Sequence, residues 1–158
     1  MAGLVQHGER AGEPMRLKNV QENSLCILTT RAPDSSESER QIFAVFLVDD
    51  IYEGDDREEG FVTTQSRFKL ALSPDEARNM PFWRYHANEN NADKEAWSSG
   101  LHRYLDDKEA VQILRDIVRM KQNTEDGALA DEFLTEFCRM VGISADEAGA
   151  PEGALTRR

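Results

Sequence analysis

A chain of 158 residues is long enough to bury one hydrophobic core and too short for two ordinary domains joined by a linker. Hydrophobic residues make up 39% of it and charged residues 31%, and no apolar run approaches about 18 residues, so a disordered or membrane-embedded class is excluded. The first residues, "MAGLVQHGERAGEP", lack a positively charged start followed by an apolar block, so they do not form a secretory signal and we expect a cytoplasmic protein.

The formal net charge of −11 argues against a nucleic-acid role, because proteins that neutralise phosphates usually carry excess Lys and Arg. The acidity is regional, however. Residues 34–60 hold ten acids against two bases and residues 105–158 hold twelve against seven, whereas residues 61–104 hold six bases against five acids. The charge argument against nucleic-acid binding therefore depends on which region of the chain would bind.

Metal and cofactor chemistry has little support in the sequence. Cys26 and Cys138 lie far apart, each inside an apolar pattern, which is typical of buried small hydrophobes. His7, His86 and His102 have no metal-ligand spacing. We also find no dinucleotide-binding, phosphate-loop, nucleophile-elbow or H-E-x-x-H motif, so no cofactor and no metal site are predicted.

In chain order, the first predicted elements are strands. "SLCILTT" at 24–30 and "QIFAVFLVDDIY" at 41–52 read as buried strands joined by the polar connection 31–40. After an acidic loop at 53–60, "FVTT" at 61–64 and the alternating "RFKLAL" at 67–72 predict two shorter strands.

Helices follow the strands. Ser73-Pro74 with Glu76 is a helix-start signature, and Pro81 should end that helix. After a strand predicted over 98–105, Asp106 should cap a helix over 107–121, and Gly142 should end another over 126–142.

Strands first and two helices last indicate an α+β protein with a mostly antiparallel or barrel-like sheet and two C-terminal helices. We expect a flexible lead-in over 1–18, a single globular domain over 19–142, and a loose tail or linker over 143–158.

One stretch, "FWRYHANENNADKEAW" at 82–97, has a composition suited to binding. Aromatic faces interleaved with cations are what a stacking site for a base uses, and the Asn side chains can hydrogen-bond the edge of a planar ligand. The alternative is structural, with Phe82, Trp83 and Trp97 covering the open face of a small barrel.

The strand "NSLCILTTR", the strand "IFAVFLVDDIY" with its acidic bend, and the later "FWRYHANENN...W...GLHRYL" together resemble the PUA-like superfamily, especially its EVE and YTH-type readers. They are also similar to reader-like regions ahead of HNH nuclease modules in some bacterial restriction proteins. The resemblance covers roughly residues 16–118. It implies a small mixed or antiparallel β-barrel with flanking helices, and an aromatic pocket for a flipped or unpaired modified base of DNA or RNA.

Carried over by position, the resemblance assigns two sets of residues. Trp83 and Trp97 become pocket walls, Tyr104 and Asn88 polar readers, and Thr29, Thr30 and Arg31 the pocket rim. Base extrusion also requires phosphate contacts to hold the strand. The cations available for that, besides Arg31, are Arg16, Lys18, Arg67, Lys69, Arg84 and Arg103.

The leading hypothesis is thus a non-catalytic nucleic-acid reader, any nuclease activity belonging to a module outside this chain. Two alternatives stay open. An acidic protein-interaction or regulatory module would bind a basic partner through residues 53–59. A small enzyme would use His86 or His102 as a base with Asp49, Asp50 or Glu53.

Overall fold

The computed structural model describes residues 20–55, 57–97 and 103–157. It is an α+β arrangement of small antiparallel sheets with two long helices at the C-terminal end, as the sequence predicts. The predicted lead-in, with Arg16 and Lys18, lies outside the described residues, and so does His102.

Five strands form two sheets. In the first sheet β1 (Leu25–Thr30), β2 (Gln41–Leu47) and β5 (Lys69–Ala71) lie in the order β1-β2-β5, all antiparallel. In the second, β3 (Asp50–Gly54) pairs with β4 (Glu59–Thr63) as a hairpin.

The single strand predicted over 41–52 is therefore divided into two. The break falls between Val48 and Asp49. The amide of Val48 still donates to the carbonyl of Ser24, just before β1, whereas the amide of Asp49 donates to the carbonyl of Thr63 on β4 and its carboxylate accepts from the amide of Gln65. The bonds of Asp49 direct the chain out of the first sheet and into the hairpin.

The helices begin at the predicted caps. Ser73 caps α1 (Pro74–Arg78) and Asp106 caps α2 (Asp107–Lys121). In each case the cap side chain accepts from the backbone amide of a glutamate three residues later, and the carboxylate of that glutamate accepts from the amide of the cap residue. α3 (Gly127–Val141) ends at Gly142, which has the left-handed φ of 71° typical of such a terminus. Between α1 and α2, Phe82–Arg84 form one 3₁₀ turn.

The core lies between the inner face of the first sheet, α2 and α3. It is completed by three aromatic side chains from the 3₁₀ turn and the residue directly after it, Phe82, Trp83 and Tyr85, each at most 2% exposed. The hydroxyl of Tyr85 donates to Asp116 at 2.7 Å, and burial together with this bond raises the pKa of Tyr85 far above its ordinary value.

The segment after α3 is docked, in contrast to the loose tail that the sequence suggested. The amides of Gly153 and Ala154 donate to the carbonyls of Arg84 and His86, and the side chain of Gln112 on α2 donates to the carbonyl of Ala148. Ala148 and Ala154 are buried. The tail therefore covers the chain segment that carries Trp83.

Two further features bear on the earlier expectations. Both cysteines are free and partly buried, and burial raises the pKa of the Cys26 thiol to about 11. The strand predicted over 98–105 is wrong for residues 103–105, which lie outside any strand, and the side chain of Arg103 there bonds to the loop before it; residues 98–102 lie outside the described part.

Candidate nucleic-acid interface

The predicted pocket walls lie in different environments. Trp83 is fully buried, in edge-on contact with Phe82 at 5.1 Å between ring centroids, so it belongs to the core. Trp97 is half-buried and meets Phe82 edge-on from the other side, at 5.4 Å. Of the two indoles, Trp97 is the one whose ring is partly exposed to solvent.

Positive charge gathers around Trp97. The guanidinium carbon of Arg40 lies 4.2 Å from the centroid of the Trp97 ring, and that of Arg103 lies 5.3 Å from it. Both distances are within the range of cation–π attraction. Arg40 is a residue that the sequence analysis did not select.

The carboxylate of Glu37 contacts two of the nearby cations. Oε1 and Oε2 of Glu37 accept a two-pronged bond from Arg40, at 2.5 and 3.0 Å. Nε of Arg31 lies 3.3 Å from Oε2, and the indole Nε1 of Trp83 donates to Oε1 at 3.2 Å. We call Arg31, Arg40, Arg103, Glu37 and Trp97 the arginine cluster.

Electrostatics follow from this geometry. Burial of Glu37 opposes its ionisation, but the hydrogen bonds from Arg40 and Trp83 and the charges of Arg40 and Arg31 outweigh burial and hold its pKa below the ordinary value. Burial lowers the pKa of Arg103, an effect that the Glu37 charge opposes and the Arg40 charge reinforces.

Neutral groups, rather than a carboxylate, orient Arg103. Its terminal nitrogens donate to Oδ1 of Asn88 at 2.6 Å and to the carbonyl of Ala96 at 3.2 Å. Among the described residues, its buried Nε has no hydrogen-bond partner. The described cluster thus carries three cations against one anion, in a chain of net charge −11.

Asn88, predicted to read a base edge, organises the loop instead. Its side-chain amide donates to the carbonyls of Lys94 and Ala96, and its oxygen accepts from Arg103. The loop 88–97 is thereby closed on itself, which fixes the position of Trp97 at its end.

His86 is also held within the protein. Its Nδ1 lies 3.0 Å from Oε1 of Glu109 on α2, and its Nε2 lies 3.4 Å from a terminal nitrogen of Arg103. Both ring nitrogens of His86 therefore contact neighbouring side chains. The carboxylate partner is thus neither Asp49, Asp50 nor Glu53.

The remaining predicted residues divide into those near the cluster and those elsewhere. Thr29 accepts from Arg40 at 3.3 Å, and Thr30 follows it at the exposed end of β1. Arg67 pairs with Glu132 on α3, Lys69 lies exposed on β5, and Arg84 donates to the carbonyl of Asn79. Tyr104 is 44% exposed.

A cleft of about 400 Å³ lies between the start of α2 and the docked tail. It is lined by mixed charges that include Glu109, Glu147 and Arg157, and none of the predicted base-binding residues borders it. In the described ranges, no group of three or more His, Cys, Asp or Glu side chains is placed to hold a metal ion.

Two members of the cluster had a signal in the sequence. Glu37 and Arg40 stand three residues apart in "ESER", a spacing that suits an ion pair on a helical turn. This spacing predicts the Glu37–Arg40 ion pair. It does not predict that Arg40 lies beside Trp97, 57 residues later, because that contact depends on how the first sheet packs against the loop 88–97.

Comparison of the chain with protein-family models, with curated proteins and with solved structures gave no match. No helix within the described residues is long and apolar enough to cross a membrane.

Proposed function

We propose that this protein is a non-catalytic nucleic-acid reader that holds one unpaired base, in its leading form a modified base, at the arginine cluster. The observation that carries the proposal is the pair of guanidiniums, from Arg40 and Arg103, on the half-buried ring of Trp97. Indole faces and guanidinium planes are the surfaces on which single-stranded bases stack.

Phosphate contact has a local source of charge in this proposal. Arg31 and Arg40 lie within hydrogen-bond or ion-pair distance of the same carboxylate, beside the stacking surface. Guanidiniums bind phosphate oxygens in a two-pronged geometry and stay charged at any physiological pH. A cationic spot of this kind acts at short range even when the rest of the protein repels the strand.

The PUA-like arrangement belongs to the same proposal. The antiparallel order β1-β2-β5, the neighbouring hairpin and the packed helices support it. The proposal adds that the strands of the two sheets close into one barrel. A cytoplasmic location and association with a nuclease module are further parts of it.

The experiment is fluorescence anisotropy of short labelled single-stranded DNA and RNA, unmodified or carrying one methylated or hydroxymethylated base. Arg31→Met removes a partly exposed cation of the arginine cluster, and Arg67→Met removes one that pairs with α3 instead. We expect Arg31→Met to weaken binding by roughly tenfold and Arg67→Met to leave it nearly unchanged. Equal losses in both variants, or no binding by the unmodified protein at low salt, would overturn the proposal.

An acidic interaction surface is a second candidate, favoured by the β3–β4 hairpin. Tyr52 and Phe61 face each other there with ring centroids 5.4 Å apart, Phe61 is 40% exposed, and the turn carries Asp55 and Glu58. A basic partner would bind this hairpin by charge and aromatic contact. Loss of such a partner on Phe61→Ser, with no loss on Trp97→Phe, would support this function over the first.

A further inference from the structure

We propose that Glu37 occupies the phosphate position of the arginine cluster, and that a phosphate group of the ligand binds by replacing the Glu37 carboxylate. The inference rests on the proposed function, because it specifies how the strand is held at the same cluster. It assigns a phosphate-binding role to Arg31, Arg40 and the indole N–H of Trp83.

The donors around Glu37 form a site for a tetrahedral anion. Three N–H groups donate to its two oxygens, Nε and a terminal nitrogen of Arg40 and Nε1 of Trp83, and the guanidinium Nε of Arg31 lies 3.3 Å from Oε2 as an ion pair. A two-pronged guanidinium, a second guanidinium and a neutral N–H match the oxygens of a phosphate as well as those of a carboxylate.

The carboxylate can leave without unfolding its own turn. Glu37 begins the 3₁₀ turn Glu37–Glu39, whose N-terminus is closed by reciprocal bonds between Ser36 and Glu39. Those bonds do not use the Glu37 side chain. Its side chain is 21% exposed, and the side chains of Arg40 and Arg31 are 16% and 33% exposed. The site is therefore open to solvent on one side.

Charge also favours the exchange. In the described part of the chain, Arg103 donates to the side-chain oxygen of Asn88 and to the carbonyl of Ala96, and no carboxylate contacts it directly. Its charge is nevertheless close enough to act on Glu37 and Arg40. A phosphate carries at least the charge of the carboxylate it replaces and brings a base toward Trp97. Glu37 thus acts as an internal competitor that offsets part of the positive charge of the cluster while no ligand is bound.

The test compares Glu37→Gln with Asp34→Asn, which removes the same charge at an exposed position of the same connection. Binding of a short oligothymidylate is measured for both variants and for the unmodified protein. We expect Glu37→Gln to tighten binding by roughly three- to tenfold and Asp34→Asn to change it less than twofold. Weaker binding by Glu37→Gln, or an equal change in both variants, would overturn the exchange.

A second readout needs no substitution. On titration of the unmodified, isotope-labelled protein with the oligothymidylate, exchange predicts that the Nε1–H resonance of Trp83 shifts as its acceptor changes. A shift of the Trp97 resonance with a stationary Trp83 resonance would refute the exchange and leave the reader function standing. Absence of binding by every protein form would refute the proposed function, and the exchange with it.

Discussion

Arg40 lies with its guanidinium carbon 4.2 Å from the centroid of the Trp97 ring while both of its forked nitrogens bind Glu37. The same side chain therefore joins the aromatic surface to the anion position. A base stacked at Trp97 and a phosphate in place of Glu37 would both contact Arg40, so the proposal expects stacking and phosphate binding to be coupled through this residue.

The two tryptophans should differ sharply in their effect on stability. Trp83 is fully buried and bonded to Glu37, so we expect Trp83→Ala to lower the free energy of unfolding by about 3–5 kcal/mol. Trp97 is half-buried at the end of a loop, so Trp97→Ala should cost about 1 kcal/mol. Urea unfolding measures both, and a loss of several kcal/mol for Trp97→Ala would make it a core residue with no binding role.

Docking of the tail should depend on Gly153. A Cβ at this position would lie 2.3 Å from the carbonyl oxygen of Trp83 and 2.5 Å from that of Arg84, both of them backbone atoms that cannot step aside. We expect Gly153→Ala to release the tail, to lower stability by about 1–3 kcal/mol, and to speed hydrogen exchange at the amide of Ala154.

Glu152→Ala is the matched control for that prediction, because its exposed side chain is removed one residue away. It should leave the amide exchange of Ala154 slow. If Gly153→Ala also left it slow, the close approach of the tail to the segment carrying Trp83 would be disproved.

Stability should respond to pH through Glu37. Its folded-state pKa lies below the ordinary carboxyl value of 4.5, so its contribution is complete above that value and is lost as the pH falls through the folded-state pKa. Glu37→Gln should therefore be less stable than the unmodified protein by about 1–2 kcal/mol at pH 7, and the gap should close in acid.

Thermal or urea unfolding of both proteins between pH 7 and pH 3 measures this gap, with exposed Glu89→Gln as the control. A gap that stayed constant over the whole range would mean that the charge of Glu37 contributes nothing to folding.

Salt should weaken oligonucleotide binding only gently. Three guanidiniums at the cluster set an upper limit of about three neutralised phosphates, which for a single strand gives a slope of roughly −2 in log K against log salt. Arg31→Met should reduce the magnitude of that slope by about 0.7. A much steeper slope would place the binding surface on a larger set of cations outside the cluster.

The sequence predicted the elements that local chemistry determines. The caps at Ser73 and Asp106 and the glycine that ends α3 each act within one helical turn, so they are visible without knowledge of the fold. The division of residues 41–52 into two strands was missed because it depends on bonds to Ser24 and Gln65, which are distant in the chain.

The candidate site shows the same limit. Trp97 and Arg103 were recognised from composition, but Trp83 looked equivalent to Trp97 in sequence and only the docked tail and Phe82 show that it is core. Arg40 lies in a region whose net charge is strongly acidic, so regional charge concealed it. Its importance follows from contacts with Glu37 and Trp97 that span the first sheet and the later loop.

The measurement that tests the central claim most directly is intrinsic tryptophan fluorescence during titration with short oligonucleotides, with and without modified bases, at low and moderate salt. The protein contains two tryptophans, and Trp97→Phe leaves only the buried one. We predict saturable quenching of the unmodified protein, strongest with one modified base, and little response from Trp97→Phe. An unchanged spectrum with every oligonucleotide at low salt would contradict a reading site at the arginine cluster.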